Sequence, residues 1–190
     1  RWSAWSKPIL LSPPGEVHKN WMIFPEKING KFAIIHSISP KVEVEFRSSV
    51  SNIGTRDPFI KSPVGVRTAG SKGWDSRIRG AGPPPLKTDR GWLVLYHANQ
   101  HNEPHKYKLG ALLLDLQDPT KVIAKSMLPI LEPDQWYEND GKPGIVYACG
   151  AIIKEEKGVG NSLYVYYGGG DKYVCVAHTH LETLLDWMET

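Results

Sequence analysis

Short apolar runs cut by Gly, Pro and Ser make up most of the chain. Val42 to Phe46 sets Val42, Val44 and Phe46 against Glu43 and Glu45, the period-two alternation of a half-buried strand. Trp92 to Tyr96 is a continuous apolar and aromatic run of strand length, with His97 at its predicted end. Before it, Pro83-Pro84-Pro85 cannot donate to a central ladder, so Gly80 to Pro85 reads as a rigid lead-in. Leu86 to Thr88 is then a short strand and Asp89-Arg90-Gly91 a turn. The same order of strand, turn and strand occurs at Glu26 to His36, around Asn29-Gly30, and at Gly150 to Gly168. The copies recur roughly every sixty to seventy residues, longer than the ~40–50 of common propeller repeats. Hairpins alone are common to all antiparallel proteins, and a β-sandwich is the alternative. The shared exit position favours modules around an axis, because equivalent strand ends converge on one surface in a propeller.

Further strands are predicted at Pro8–Leu11 (an edge), weakly at Phe59-Ile60, and at Tyr107–Leu116, Val122–Ser126, Ile145–Ile153 and Lys172–His178. Arg47 to Gly73 reads as one long connection, Asn99 to Lys106 as a turn, and Trp136 to Pro143 as a loop. Leu181, Leu184, Leu185 and Met188 lie at helical spacing and predict one short C-terminal helix that packs on a sheet. With 18 Gly and 15 Pro in 190 residues, many short strands and turns are the natural outcome. The expectation is an all-β chain forming a single domain.

A net charge of +3 with both signs interspersed gives no clustered basic element of the kind nucleic-acid readers carry. No apolar run approaches the ~20 residues that cross a bilayer as a helix. Arg67 to Arg79 reads as a basic loop facing an anion or solvent. Cys149 and Cys175 lie in apolar segments and are expected as buried free thiols, in keeping with a reducing, cytoplasmic setting. His101 and His105 flank Pro104, and His178 and His180 stand two apart. Neither pair supplies the three or four ligands of a zinc site, so no metal is expected. Gly168-Gly169-Gly170-Asp171 suits either a phosphate cradle or a tight strand bend. Trp74, Trp92, Tyr107, Trp136, Tyr137 and Tyr167 lie at or beside predicted loops and strand ends. Sugars offer C–H faces to such rings and hydroxyls to carboxylates such as Asp75 and Asp171.

These residues also carry a resemblance. His18-Lys19-Asn20 leading to Phe24-Pro25-Glu26-Lys27-Ile28, then Gly80-Ala81-Gly82-Pro83-Pro84-Pro85-Leu86-Lys87-Thr88, Gly91-Trp92-Leu93, Tyr96-His97 and Tyr107-x-Leu109-Gly110-Ala111 are similar to motifs of glycoside hydrolase family 130. So are Leu114-Asp115-Leu116-x-Asp118-Pro119, Pro129-Ile130-Leu131 and Tyr166-Tyr167-Gly168-Gly169-Gly170-Asp171. The resemblance covers nearly the whole chain. It implies a five-bladed β-propeller, with about three blades present here as its C-terminal portion.

It also implies inverting phosphorolysis of β-mannosides, giving mannose 1-phosphate. An Asp donates the proton through a sugar hydroxyl, and inorganic phosphate is a co-substrate, with no other cofactor. By position, Lys19, Asn20 and His97 match the phosphate-side residues and Asp171 a sugar-binding carboxylate. Tyr107 and Trp74 are further substrate candidates. The proton donor is expected on earlier blades, outside this chain. Ile78 stands where a basic residue is expected, flanked by Arg77 and Arg79, and Ser37 replaces an Arg. Hydrolysis, or carbohydrate binding without turnover, is the alternative. The partners expected are a mannoside oligosaccharide and phosphate. A homo-oligomer or a complementing N-terminal fragment is expected to cover open blade edges.

Overall fold

The computed structural model describes residues 8–63, 73–158 and 160–189. Among the described residues the protein is all-β with one short C-terminal α-helix. Three antiparallel sheets follow one another along the chain. The first holds β1 (Met22–Ile23), β2 (Phe32–Ser37) and β3 (Glu43–Arg47). The middle sheet holds β4 (Arg77–Ala81), β5 (Leu86–Lys87), β6 (Trp92–Gln100), β7 (Glu103–Leu114) and β8 (Val122–Lys125). In the third, β10 (Gly160–Gly169) lies between β9 (Val146–Glu156) and β11 (Tyr173–His180).

The unbroken apolar and aromatic character of Trp92 to Tyr96 has a direct cause: the middle sheet is buried on both faces. Strand residues alternate sides. Trp92, Val94, Tyr96 and Ala98 pack toward Ala33, Ile35 and Val42 of the first-sheet unit. Leu93 and Leu95 pack toward Val146, Ala148, Leu163 and Val165 of the third sheet. His97 has the parity of Leu93 and Leu95 and therefore faces the third sheet. The strand runs to Gln100, so His97 is internal to β6 and fully buried rather than at a strand exit.

The helix α1 (Leu181–Met188) buries Leu181, Leu184, Leu185 and Met188 against the third-sheet core, as the spacing predicts. Arg90, in the turn after β5, ties it down through Asp186 and Glu189, each at 2.5 Å.

Several strand assignments differ. Pro8–Leu11 forms no strand; Leu11 O accepts from Ile60 N–H at 3.0 Å, and the Leu11 side chain packs beside Ile34, Ile53 and Ile60. Phe59-Ile60 is likewise irregular, with Ile60 buried as a plug beside Ile34 and Ile53. The limb before Asn29-Gly30 shrinks to a single Ile28–Lys31 bridge, and Met22–Ile23 pairs with β2 instead. Arg77 and Arg79 belong to β4, while residues 67–72 of the expected basic loop lie outside the described residues. Both cysteines are free, but Cys149 is exposed and Cys175 half-buried. The pairing of β9 with β10 slips between Tyr166 and Tyr167, which leaves Cys149 as the extra residue of a bulge. Among the described residues no helix is long and apolar enough to cross a membrane.

Candidate active site

Three of the sequence-predicted residues, Asn20, Arg79 and Tyr107, are joined by direct contacts, and His97 pairs with the glycine that follows Arg79. Asn20 has φ 61°, a left-handed conformation that Asn adopts more readily than most residues. From there its Nδ2 donates to Arg79 O at 3.1 Å. The approach is close enough to require glycine at the next position: a Cβ on Gly80, whose φ is 123°, would lie 2.7 Å from Asn20 Cβ. Gly80 in turn pairs with His97 across β4 and β6.

The β4–β6 ladder slips between Ile78 and Gly80, making Arg79 the extra residue of a bulge. A bulge re-aims the side chain it carries. The Arg79 guanidinium lies over the Tyr107 ring, 5.5 Å from its centroid, and its buried Nε has no partner among the described residues. Ile78 packs with the core between the first and middle sheets.

His97 is held on two sides. Its Nε2 accepts the Ala148 N–H at 2.9 Å, and its ring stacks on Tyr147 at 4.2 Å and 6°. Burial pushes its pKa down from 6.5 to about 4, so the imidazole is neutral near pH 7. Because Nε2 accepts, the proton sits on Nδ1, which has no acceptor among the described residues. The group is a neutral, preset hydrogen-bond donor.

Tyr107 N–H donates to Gly144 O at 2.8 Å, and Tyr107 bridges to Ile145. Gly170 N–H donates to Ile145 O at 3.0 Å. Asp171 follows in the β10–β11 turn, with φ 52° and its carboxylate 3.4 Å from Lys142 Nζ. A line of contacts thus runs from Asn20 through Arg79, Tyr107 and Ile145 to the turn carrying Asp171. The Gly168-Gly169-Gly170 run is the end of β10 and a strand bend.

Other candidates lie elsewhere or have structural duties. Lys19 is exposed beside Asn20, and Arg77 pairs in register with Asn99. Trp74 stacks on Tyr96 at 5.9 Å and donates from Nε1 to Met127 O, on the first-sheet side of the middle sheet and away from His97. Asp75 is buried, accepts the Tyr96 hydroxyl at 2.9 Å and pairs with Lys125. Burial and that carboxylate raise the Tyr96 pKa. Trp92 and Tyr167 are core residues. Tyr167 donates to buried Glu138 at 2.7 Å, and burial followed by that bond raises its pKa. Ser37 donates to Ser39 O at 3.0 Å. Among the described residues no group of His, Cys, Asp and Glu gathers as a metal site.

Sequence reasoning misses Tyr147, Asp140 and Lys142. Tyr147 sits in an apolar run with nothing to mark it beyond its position next to Ala148. Asp140 and Lys142 come from a loop whose approach to Asp171 depends on the fold. A mostly apolar cleft of about 340 Å³ between α1, β11 and Pro129–Leu131 has none of the predicted site residues in its lining.

The family model described as beta-1,4-mannooligosaccharide phosphorylase, that of glycoside hydrolase family 130, matches residues 14–190. A 1,2-beta-oligomannan phosphorylase of Thermoanaerobacter sp. (strain X514) is 40% identical over 172 residues, covering 90% of this chain and 52% of that protein. A beta-1,2-mannobiose phosphorylase of Listeria innocua is 37% identical over 182 residues, covering 90% and 46%. The solved structure of beta-1,2-mannobiose phosphorylase from Listeria innocua, in complex with beta-1,2-mannobiose, superposes with a TM-score of 0.72 at 34% identity, over 94% of this chain and 48% of that one. The chain spans about half the length of the curated relatives it matches. On this extent of match, the chain belongs to glycoside hydrolase family 130.

Proposed function

We propose that this chain forms part of an inverting β-mannoside phosphorylase, built on a five-bladed propeller of which it supplies about three blades. A phosphate oxygen attacks the anomeric carbon, the glycosidic C–O bond breaks, and the leaving oxygen takes a proton from an aspartate outside this chain. The products are mannose 1-phosphate and a shortened saccharide. Phosphate needs donors and positive charge to offset its lost hydration. Asn20, Arg79 and His97 serve that side, with Lys19 and Arg77 near them in the chain, and Asp171 and Tyr107 serve the sugar. The setting is the cytoplasm, and the ring is completed by a second copy or a complementing N-terminal fragment.

The observation that carries the reading is the meeting of Asn20, Arg79 and His97 at one bulged stretch of β4. A neutral Nδ1–H donor and a guanidinium, each with an N–H that has no partner among the described residues, suit a phosphate dianion. Ile78 in the core and Ser37 turned to Ser39 favour a second reading. With two cationic positions lost, water replaces phosphate as the nucleophile.

The test is product analysis with β-mannosides, using the chain together with the N-terminal half of a family member. Mannose 1-phosphate that appears only with inorganic phosphate is the expected result. Free mannose released at the same rate without phosphate selects hydrolysis. Mannoside binding without any turnover selects a binding module.

A further inference from the structure

Trp136 has its side chain in solvent, 69% exposed, where a core aromatic would be hidden. It does not stand alone. Its ring meets Tyr137 edge-on at 5.6 Å and Tyr173 at 5.5 Å, and those two rings lie 6.5 Å apart. The cluster joins two segments distant in sequence, the 3-10 turn Trp136–Glu138 and the start of β11.

The same two segments are locked together by polar contacts. Asp140 Oδ2 accepts from the Tyr173 hydroxyl at 2.6 Å and from Lys172 Nζ at 3.0 Å, and these bonds hold its pKa below the usual carboxylate range. Lys142 N–H donates to Gly170 O at 2.8 Å, while its ammonium pairs with Asp171. The glycines of the bend permit this fit. A Cβ on Gly170 would lie 2.7 Å from Asp140 O and 3.0 Å from Tyr137 O. Residues 170–173 and 136–142 are therefore one unit, with aromatic faces and the Asp171 carboxylate on it. Tyr137 also borders a cleft of about 390 Å³ that Glu132, Asp134 and Gln135 help to line. That volume falls within the roughly 300–1,000 Å³ of small-ligand clefts.

We propose that Trp136, Tyr137 and Tyr173 form an additional saccharide subsite, which binds mannose units beyond those at Asp171. The inference rests on the mannoside reading and deepens it by naming the residues that hold a third and further β-linked mannose. The negative face of an aromatic ring attracts the polarised C–H bonds on a sugar face. The carboxylates and ammonium groups around it engage hydroxyls. A purely apolar partner would strip water from the Asp140–Lys172 and Lys142–Asp171 pairs, whereas the hydroxyls of a sugar can replace it.

The experiment is a titration of the chain, followed by tryptophan fluorescence and by calorimetry, with β-1,2-linked mannobiose and mannotetraose. In the unaltered chain the tetraose binds more tightly than the biose. Trp136→Ala weakens the tetraose by about tenfold, the scale of one aromatic contact, and leaves the biose unchanged. Trp136→Phe restores part of the loss. Because Trp136 is on the surface, the thermal midpoint of each variant stays near that of the parent, which excludes unfolding as the cause. Equal weakening of both sugars, or weakening of neither, overturns the subsite while leaving the mannoside reading intact. The same titrations are run with the N-terminal half of a family member added, and no binding of either sugar by that complex overturns both.

Discussion

The inner wall of the candidate site and its rim are built in different ways. Asn20, Arg79, His97 and Tyr107 are fixed by strands and by the junctions between sheets, so the atoms that shape the wall also hold the fold. Trp136, Asp140, Lys142 and Asp171 come from a loop and a turn, and their side chains reach into solvent. Substitutions at the wall should therefore change stability and ligand grip together. Substitutions at the rim should separate the two.

The largest effect is expected at His97. His97→Ala leaves a cavity in the core and strips the Ala148 N–H of its acceptor, for a loss of about 3–4 kcal/mol in urea unfolding at pH 7.5. The same residue sets a pH dependence. Its folded pKa of about 4 lies below the 6.5 of the free group, so the unfolded chain binds more protons between those values. Stability therefore falls as pH drops from about 6.5 to about 4 and is unaffected by this group below that, a total of about 3 kcal/mol. In His97→Gln that portion of the slope disappears. An unchanged slope would mean that the burial of His97 does not carry it. His36, whose pKa burial also lowers, adds the same sign and remains in both proteins.

A smaller effect is expected at Gly80, which has φ 123° and Asn20 pressed against it. Gly80→Ala adds backbone strain and a clash, about 2 kcal/mol together. Gly30→Ala is the control, since Gly30 has φ 76° and an added Cβ there would meet nothing within 4 Å, so strain alone applies, about 1 kcal/mol. Phosphate binding should weaken in the first variant and not in the second. If the two variants behave alike, the Asn20 contact does not shape the wall.

How much of this is legible in the sequence follows the same division. The hairpin around Asp89-Arg90-Gly91, the strand at Val42–Phe46 and the terminal helix rest on period and turn chemistry, which are local. The continuous run Trp92 to Tyr96 announces a strand, but not that both its faces are covered, and so the pattern alone puts His97 at an exit instead of inside. Bulges leave no mark in a sequence, and two of them decide where Arg79 and Cys149 point. On the rim, a motif marks Asp171. Its neighbours Asp140 and Lys142 escape notice because the contact joins residues about thirty apart through a packed glycine bend.

The smallest effect is expected at Lys142. Its side chain is 67% exposed and that of Asp171 53%, so their ion pair is screened by water and salt. Lys142→Ala should change unfolding stability by less than about 0.5 kcal/mol. The backbone bond from residue 142 to Gly170 O survives the change, so the loop stays in place. Mannoside affinity should still fall a few-fold, because Asp171 loses the cation that orients its carboxylate. A loss of stability well above 1 kcal/mol would mean that the rim is as much a part of the fold as His97. The contrast between wall and rim would then fail.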